Sequence, residues 1–158
     1  MAKLVSITIQ PPDQEYGERL DYFIRVPRQE ARLMADHGIE GDRKAGRNRS
    51  RQVNLLSQAW LNDLASKDYK TSPGSFGEQL ILAGLDFDSL RPGDQLLFDN
   101  LACIEITKPR TGCARLDLAQ GQPTAEEVGF IGLLARVITG GMIRIGSGVT
   151  VRQTEQVP

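Results

Sequence analysis

The stretch LLARVITGGMIRIGSGVTVR, from Leu133 to Arg152, decides the fold class. Leu133–Thr139 is apolar and rich in β-branched residues. Gly140-Gly141 interrupts it and Met142–Ile145 resumes it, a pattern that predicts a hairpin. Val149–Arg152 predicts a closing strand. Working outward, the same pattern recurs along the chain. Cys103–Lys108 is a strand-like run, and Gln95–Phe98 follows the turn signal Arg91-Pro92-Gly93-Asp94. Gln79–Leu82 is short and apolar. Leu20–Val26 predicts a strand that Pro27 stops, and Lys3–Ile9 alternates with Val5, Ile7 and Ile9 on one face. Helical spacing occurs mainly within Val53–Lys67, where Trp60, Leu61, Leu64 and Ala65 follow Ser57 as N-cap. Pro123–Val128 predicts one or two helical turns. Short strands between close turn signals predict a mostly β chain: one domain over residues 1–158, centred on a β-barrel, with one or two short helices.

Composition narrows the function. The chain has 158 residues, Lys+Arg 19 against Asp+Glu 20, and a net charge of −1. That balance argues against a surface devoted to nucleic acid or anionic lipid. No apolar run approaches the roughly 18 residues of a membrane span. The opening MAKLVSITIQ lacks a signal-peptide layout, so a cytoplasmic protein is expected. Cys103, Cys113 and His37 are the only Cys or His residues, too few for a four-ligand structural zinc site. Cys103, in LACIEI, reads as a small buried hydrophobe. His37 reads as a packing residue and Trp60 as core.

Three less regular segments carry the chemistry: Gly38–Gln52, Thr71–Gly77 and Pro109–Asp117. From Glu40 to Gln52, the five cations Arg43, Lys44, Arg47, Arg49 and Arg51 outnumber the two anions Glu40 and Asp42. Guanidinium forks in a glycine-bearing loop suit phosphate or another oxyanion, although a solvated charged loop has the same composition. In KPRTGCARLD, Cys113 sits among Lys108, Arg110 and Arg115. Nearby cations lower a thiol pKa, so Cys113 could be a nucleophile, a sulfur carrier or a metal ligand, or an ordinary loop thiol. In SPGSFGEQL, Glu78 could be a general base, a partner for an arginine or a strand-end carboxylate.

The order of these blocks resembles the MOSC family, the domains at the C-terminus of molybdenum cofactor sulfurases and in stand-alone bacterial proteins. The match rests on Gly38, Gly41-Asp42-Arg43, Ala45-Gly46, Arg51-Gln52-Val53, Pro73-Gly74, Phe76-Gly77-Glu78, Pro92-Gly93-Asp94, and Arg110 with Cys113 and Leu116. Lys44 stands where many relatives have histidine, Gln79 where they often have asparagine, and Gly112 where they have proline.

The resemblance implies a β-barrel-centred fold and binding of the molybdenum cofactor (molybdopterin). Arg43, Lys44, Arg49, Arg51, Gln52, Phe76, Gly77 and Arg110 would line that cofactor's site. Cys113 and Glu78 would act in the chemistry, Cys113 carrying a persulfide or ligating molybdenum. It implies either sulfur transfer from a cysteine desulfurase or reduction of N-hydroxylated compounds with a separate electron-donor protein. Pyridoxal phosphate is not expected on this chain. A plain anion-binding barrel is the remaining reading. The site reading requires the loops around Arg43, Phe76 and Cys113 to converge.

Overall fold

A computed structural model describes residues 1–12, 25–112, 114–122 and 130–154. In chain order the strands are β1 (Lys3–Ile9), β2 (Val26–Arg28), β3 (Glu30–Met34), β4 (Gly38–Ile39), β5 (Val53–Ser57), β6 (Leu80–Ala83), β7 (Gln95–Phe98), β8 (Ala102–Thr111), β9 (Phe130–Thr139), β10 (Gly141–Arg144) and β11 (Val149–Arg152). Helix α1 (Gln58–Ala65) follows β5, and α2 (Ala114–Gln120) follows β8. Eight strands form one sheet in the order β11-β7-β8-β9-β5-β6-β1-β2, and β10-β3-β4 form a second. Every neighbouring pair in these two sheets is antiparallel except β5 with β6, which are parallel across the α1 crossover.

The large sheet does not close into the expected barrel: β2 and β11 are its two ends. It curls far enough, however, that β1 meets the link between β10 and β11. Leu4 N–H donates to Ser147 O at 2.9 Å, Gly146 N–H to Leu4 O at 2.8 Å, and Val149 N–H to Ala2 O at 3.0 Å. Inside the curl lies the main core, which includes Leu4, Ile7, Leu55, Leu96, Phe98 and Ile104. A second cluster fills the space beneath the helices: Leu56, Leu61, Leu64, Tyr69, Phe76, Ile81, Leu116 and Ile131.

Helix α1 forms as its spacing predicts. Ser57 Oγ accepts the Trp60 N–H at 3.4 Å, and Leu61 and Leu64 face the core. Trp60 is half-buried and meets Phe76 edge-on, centroids 5.0 Å apart. Cys103 is buried as a free thiol.

Three expectations are corrected. Leu133–Ile145 is not a hairpin. β9 pairs with β8 and β5, whereas β10 leaves for the second sheet and pairs with β3, Gly141 opposite Leu33. Glycine suits that transfer at both positions: a Cβ on Gly140 would meet Leu33 O of β3 at 2.8 Å, and Gly141 takes φ +155°. Pro27 does not stop its strand. It lies within β2, opposite Thr8, at the sheet edge where a missing N–H is tolerated. The segment expected to be irregular after Lys108 instead continues β8 through Pro109 and Arg110, then enters α2. Pro123–Val128 and most of Leu20–Val26 lie outside the described residues. No helix among the described residues is long and apolar enough to cross a membrane.

Candidate functional site

Asp42 organises the site. It is 4% exposed, and Oδ1 accepts the Lys44 N–H at 2.8 Å. Oδ2 accepts the Gln10 N–H at 3.1 Å and faces Arg25 Nη1 at 3.5 Å. The Arg43 N–H closes the other side on Gln10 O at 2.7 Å. The Arg43 loop is thereby fixed to the end of β1 by its backbone.

Arg25 joins this loop to the Phe76 loop. Its side chain is 2% exposed, and Nη2 donates to Gly77 O at 2.8 Å. Gly74, at φ +89°, makes room for the Arg25 stem, since a Cβ there would meet Arg25 Cβ at 2.8 Å. Arg110, on β8, enters from the far side: Nη1 donates to Asn54 Oδ1 at 3.3 Å and Nη2 to Phe76 O. Asn54 and Gln79 continue the parallel β5–β6 pairing. The Asn54 N–H donates to Gln79 Oε1 at 2.8 Å, and the Gln79 N–H to Asn54 O at 3.0 Å.

Glu78 is buried, and its carboxylate holds the same loop. Oε1 accepts the Gly74 N–H at 2.6 Å and Oε2 the Phe76 N–H at 3.3 Å. Burial raises its pKa above 4.5, opposed by the Gly74 and Glu78 backbone N–H groups and by Arg110 and Arg25.

Lys44 lies among the cations. Burial first, then repulsion from Arg25, Arg110 and Arg51, lowers its pKa from 10.5 to about 8, with Asp42 opposing. The Lys44 field thus contains four cations from separate parts of the chain with Asp42 as the anion among them. Among the described residues, three buried donors nearby have no acceptor: Arg25 Nε, Gln79 Nε2 and Gln10 Nε2, the last beside an equally unpaired Gln10 Oε1. Buried N–H groups are rarely left so, and donors in excess suit an acceptor-rich guest.

The structure therefore brings Arg43, Lys44, Arg51, Phe76, Gly77, Glu78 and Arg110 into one region. It shows Phe76 at 0% exposure, contributing its backbone C=O and N–H. Arg49 is exposed and pairs with Asp36 Oδ1 at 2.9 Å. Gln52 shares that carboxylate at 3.3 Å, while its Oε1 accepts the Val137 N–H at 2.9 Å. Cys113 lies outside the described residues, between the end of β8 at Thr111 and the start of α2 at Ala114. Among the described residues, no three His, Cys, Asp or Glu side chains are grouped to hold a metal ion.

Sequence reading missed Arg25, Gln10 and Asn54. Arg25 lies outside any basic run, and only the β1–β2 pairing carries it to Asp42. No signal in the linear order marks it.

Comparison with known proteins follows this geometry. The model of the MOSC domain matches residues 41–150. The fold is similar to the YuaD protein from Bacillus subtilis, with TM-score 0.78, 17% identity, and 98% of each chain covered. It is also similar to YiiM from Geobacillus stearothermophilus, with TM-score 0.72, 20% identity, and 97% of this chain and 76% of that one covered. YiiM from Escherichia coli gives TM-score 0.65, 21% identity, and 98% and 72% covered. Comparison with curated proteins gives no match.

Proposed function

Because the chain belongs to the MOSC domain family, a family linked to molybdenum cofactor binding or sulfuration, we propose that it binds that cofactor in the Lys44 region. We propose also that Cys113 is the thiol that carries its sulfur or ligates its metal. The observation that carries this reading is the cation field around Lys44, together with buried donors that lack acceptors.

The residues fit the group. Molybdopterin bears a phosphate and an anionic metal–oxo centre, both rich in acceptors. Lys44, Arg51 and Arg43 would hold the anionic groups, and Arg110 and Arg25 would add field from behind. When bound, the cofactor supplies two-electron redox or sulfur chemistry at its metal. Glu78 acts here as a positioning residue: by holding Gly74 and Phe76 it places the carbonyls that anchor Arg25 and Arg110. Arg49 and Gln52 brace the loop on Asp36. The cations near Cys113 in sequence would keep its thiol ionised.

The partner this role requires is a sulfur donor such as a cysteine desulfurase. For reductive use it is an electron-donor protein, since two cysteines cannot build a Cys₄ iron–sulfur cluster.

Molybdenum and pterin content test the proposal, measured on protein from a cofactor-competent host. Wild type should carry both. Cys113→Ser should lose molybdenum, and Lys44→Met should hold less of either. A wild type free of molybdenum and pterin, with no sulfur adduct on Cys113 by mass, would overturn the reading.

A further inference from the structure

A concavity of opposite electrostatic character is lined by none of the cations of the Lys44 field. It has a volume of about 700 Å³ and runs between α1 and the 85–92 segment, with Pro109 and Leu133 at its base. That volume falls in the roughly 300–1,000 Å³ range of small-molecule sites. Trp60, Phe87, Leu90, Pro92, Pro109 and Leu133 give it apolar and aromatic walls. None of the residues named for the anion site lines it. Pro109 and Arg110 are successive on β8; Pro109 lines the groove, while Arg110 is buried among Asn54 and Phe76.

Its charge is what selects the guest. Asp63, Asp86 and Asp88 line it, and among the described residues that line it the single cation is Arg91. Arg91 Nη1 is turned to the protein, donating to Asp88 O at 2.7 Å and Leu90 O at 3.1 Å. Lys67 faces Asp63 only at 3.8 Å, in an exposed pair of little strength. Three carboxylates above an aromatic wall disfavour anions and attract a cation, which a ring face also stabilises.

We infer that this groove binds a small organic cation, an aromatic ring carrying a protonated amine. The ring packs against Trp60 and Phe87, and the ammonium faces Asp86 and Asp88. This inference is independent of the cofactor proposal, since the two sites share no residue and favour opposite charges.

Trp60 is the chain's one tryptophan, so its emission reports directly on the groove. The intact protein is titrated at low ionic strength with benzylammonium, neutral benzyl alcohol and phenylacetate anion. Trp60 emission and the Gly132 backbone amide resonance are both followed. Benzylammonium should saturate both signals and bind more tightly than benzyl alcohol, with phenylacetate weakest. The double substitution Asp86→Asn with Asp88→Asn should weaken benzylammonium by about two- to tenfold and leave benzyl alcohol unchanged. Asparagine can still cap the turn at position 86, where Asp86 Oδ1 accepts the Asp88 N–H, so the fold should persist, as circular dichroism would verify. Three results would each overturn the inference: no saturable change in either signal, phenylacetate binding as well as benzylammonium, or unchanged benzylammonium affinity in the folded double variant.

Discussion

At the residue scale, Lys44 and Glu78 are groups whose charged forms burial resists, lowering the pKa of one and raising that of the other. For Lys44 the folded pKa is lowered from 10.5 to about 8. Its contribution to stability is therefore present above pH 10.5 and is lost as pH falls through 8. Lys44→Met should stabilise the ligand-free protein at pH 7 by about 1–3 kcal/mol, a range that allows for partial solvent screening. In urea melts this gain should shrink as pH rises from 8 to 10.5. The same titration bears on anion binding. Phosphate affinity should fall as pH passes 8 in the wild type and stay level with Lys44→Arg, measured by calorimetry.

Glu78 follows the opposite rule. Its folded pKa is raised, so its contribution is present below pH 4.5 and is lost as pH rises through the folded value. The stability of Glu78→Gln relative to wild type should thus increase as pH rises from 4.5, read from paired melts. Asp42→Ala removes a buried acceptor of two backbone N–H groups and the counter-charge of Arg25. It should cost about 3–5 kcal/mol in the same assay.

Residue by residue, the site was legible in sequence where chemistry is clustered along the chain, as in Arg43-Lys44 and Phe76-Gly77-Glu78. It was not legible where strand pairing assembles it. Arg25 reaches Asp42 across the β1–β2 ladder, and Asn54 reaches Arg110 across the sheet. Arg49 shows the converse: it belongs to the basic run in sequence, yet its side chain is spent on Asp36.

At the element scale, β9 is held to β5 by a contact that admits no side chain. Gly132 has φ +85°, and a Cβ there would collide with Leu55 O. Gly132→Ala should therefore lower stability by about 2–4 kcal/mol and broaden the thermal transition, because both the backbone conformation and the ladder are strained. A melt like that of wild type would show that β9 can shift without loss. Period and capping made α1 readable, and turn signals made β7 readable. The β10 segment was misread because a glycine pair between two apolar runs marks a change of direction without naming the next partner. Here the partner is β3, more than a hundred residues earlier along the chain.

At the scale of the whole molecule, the curl is tied by backbone bonds between Ala2 and Leu4, at the start of β1, and residues 146–149. A chain cut after Gly140 lacks that tie together with β10 and β11. It should lose its cooperative urea transition and bind a hydrophobic dye, whereas a sharp transition would show the curl to be self-sufficient.

The tie also has a consequence for birth on the ribosome. β1 pairs with β2, close along the chain, and with β6 further on, whereas its start meets the link before β11 only once residues 146–149 have been made. Until then the Ala2 and Leu4 backbone groups that make the tie lack those partners, and unpaired strand groups are where chains adhere to one another. The yield of folded protein in a cell should depend on translation pace past residue 146 more than on the final stability of the sheet.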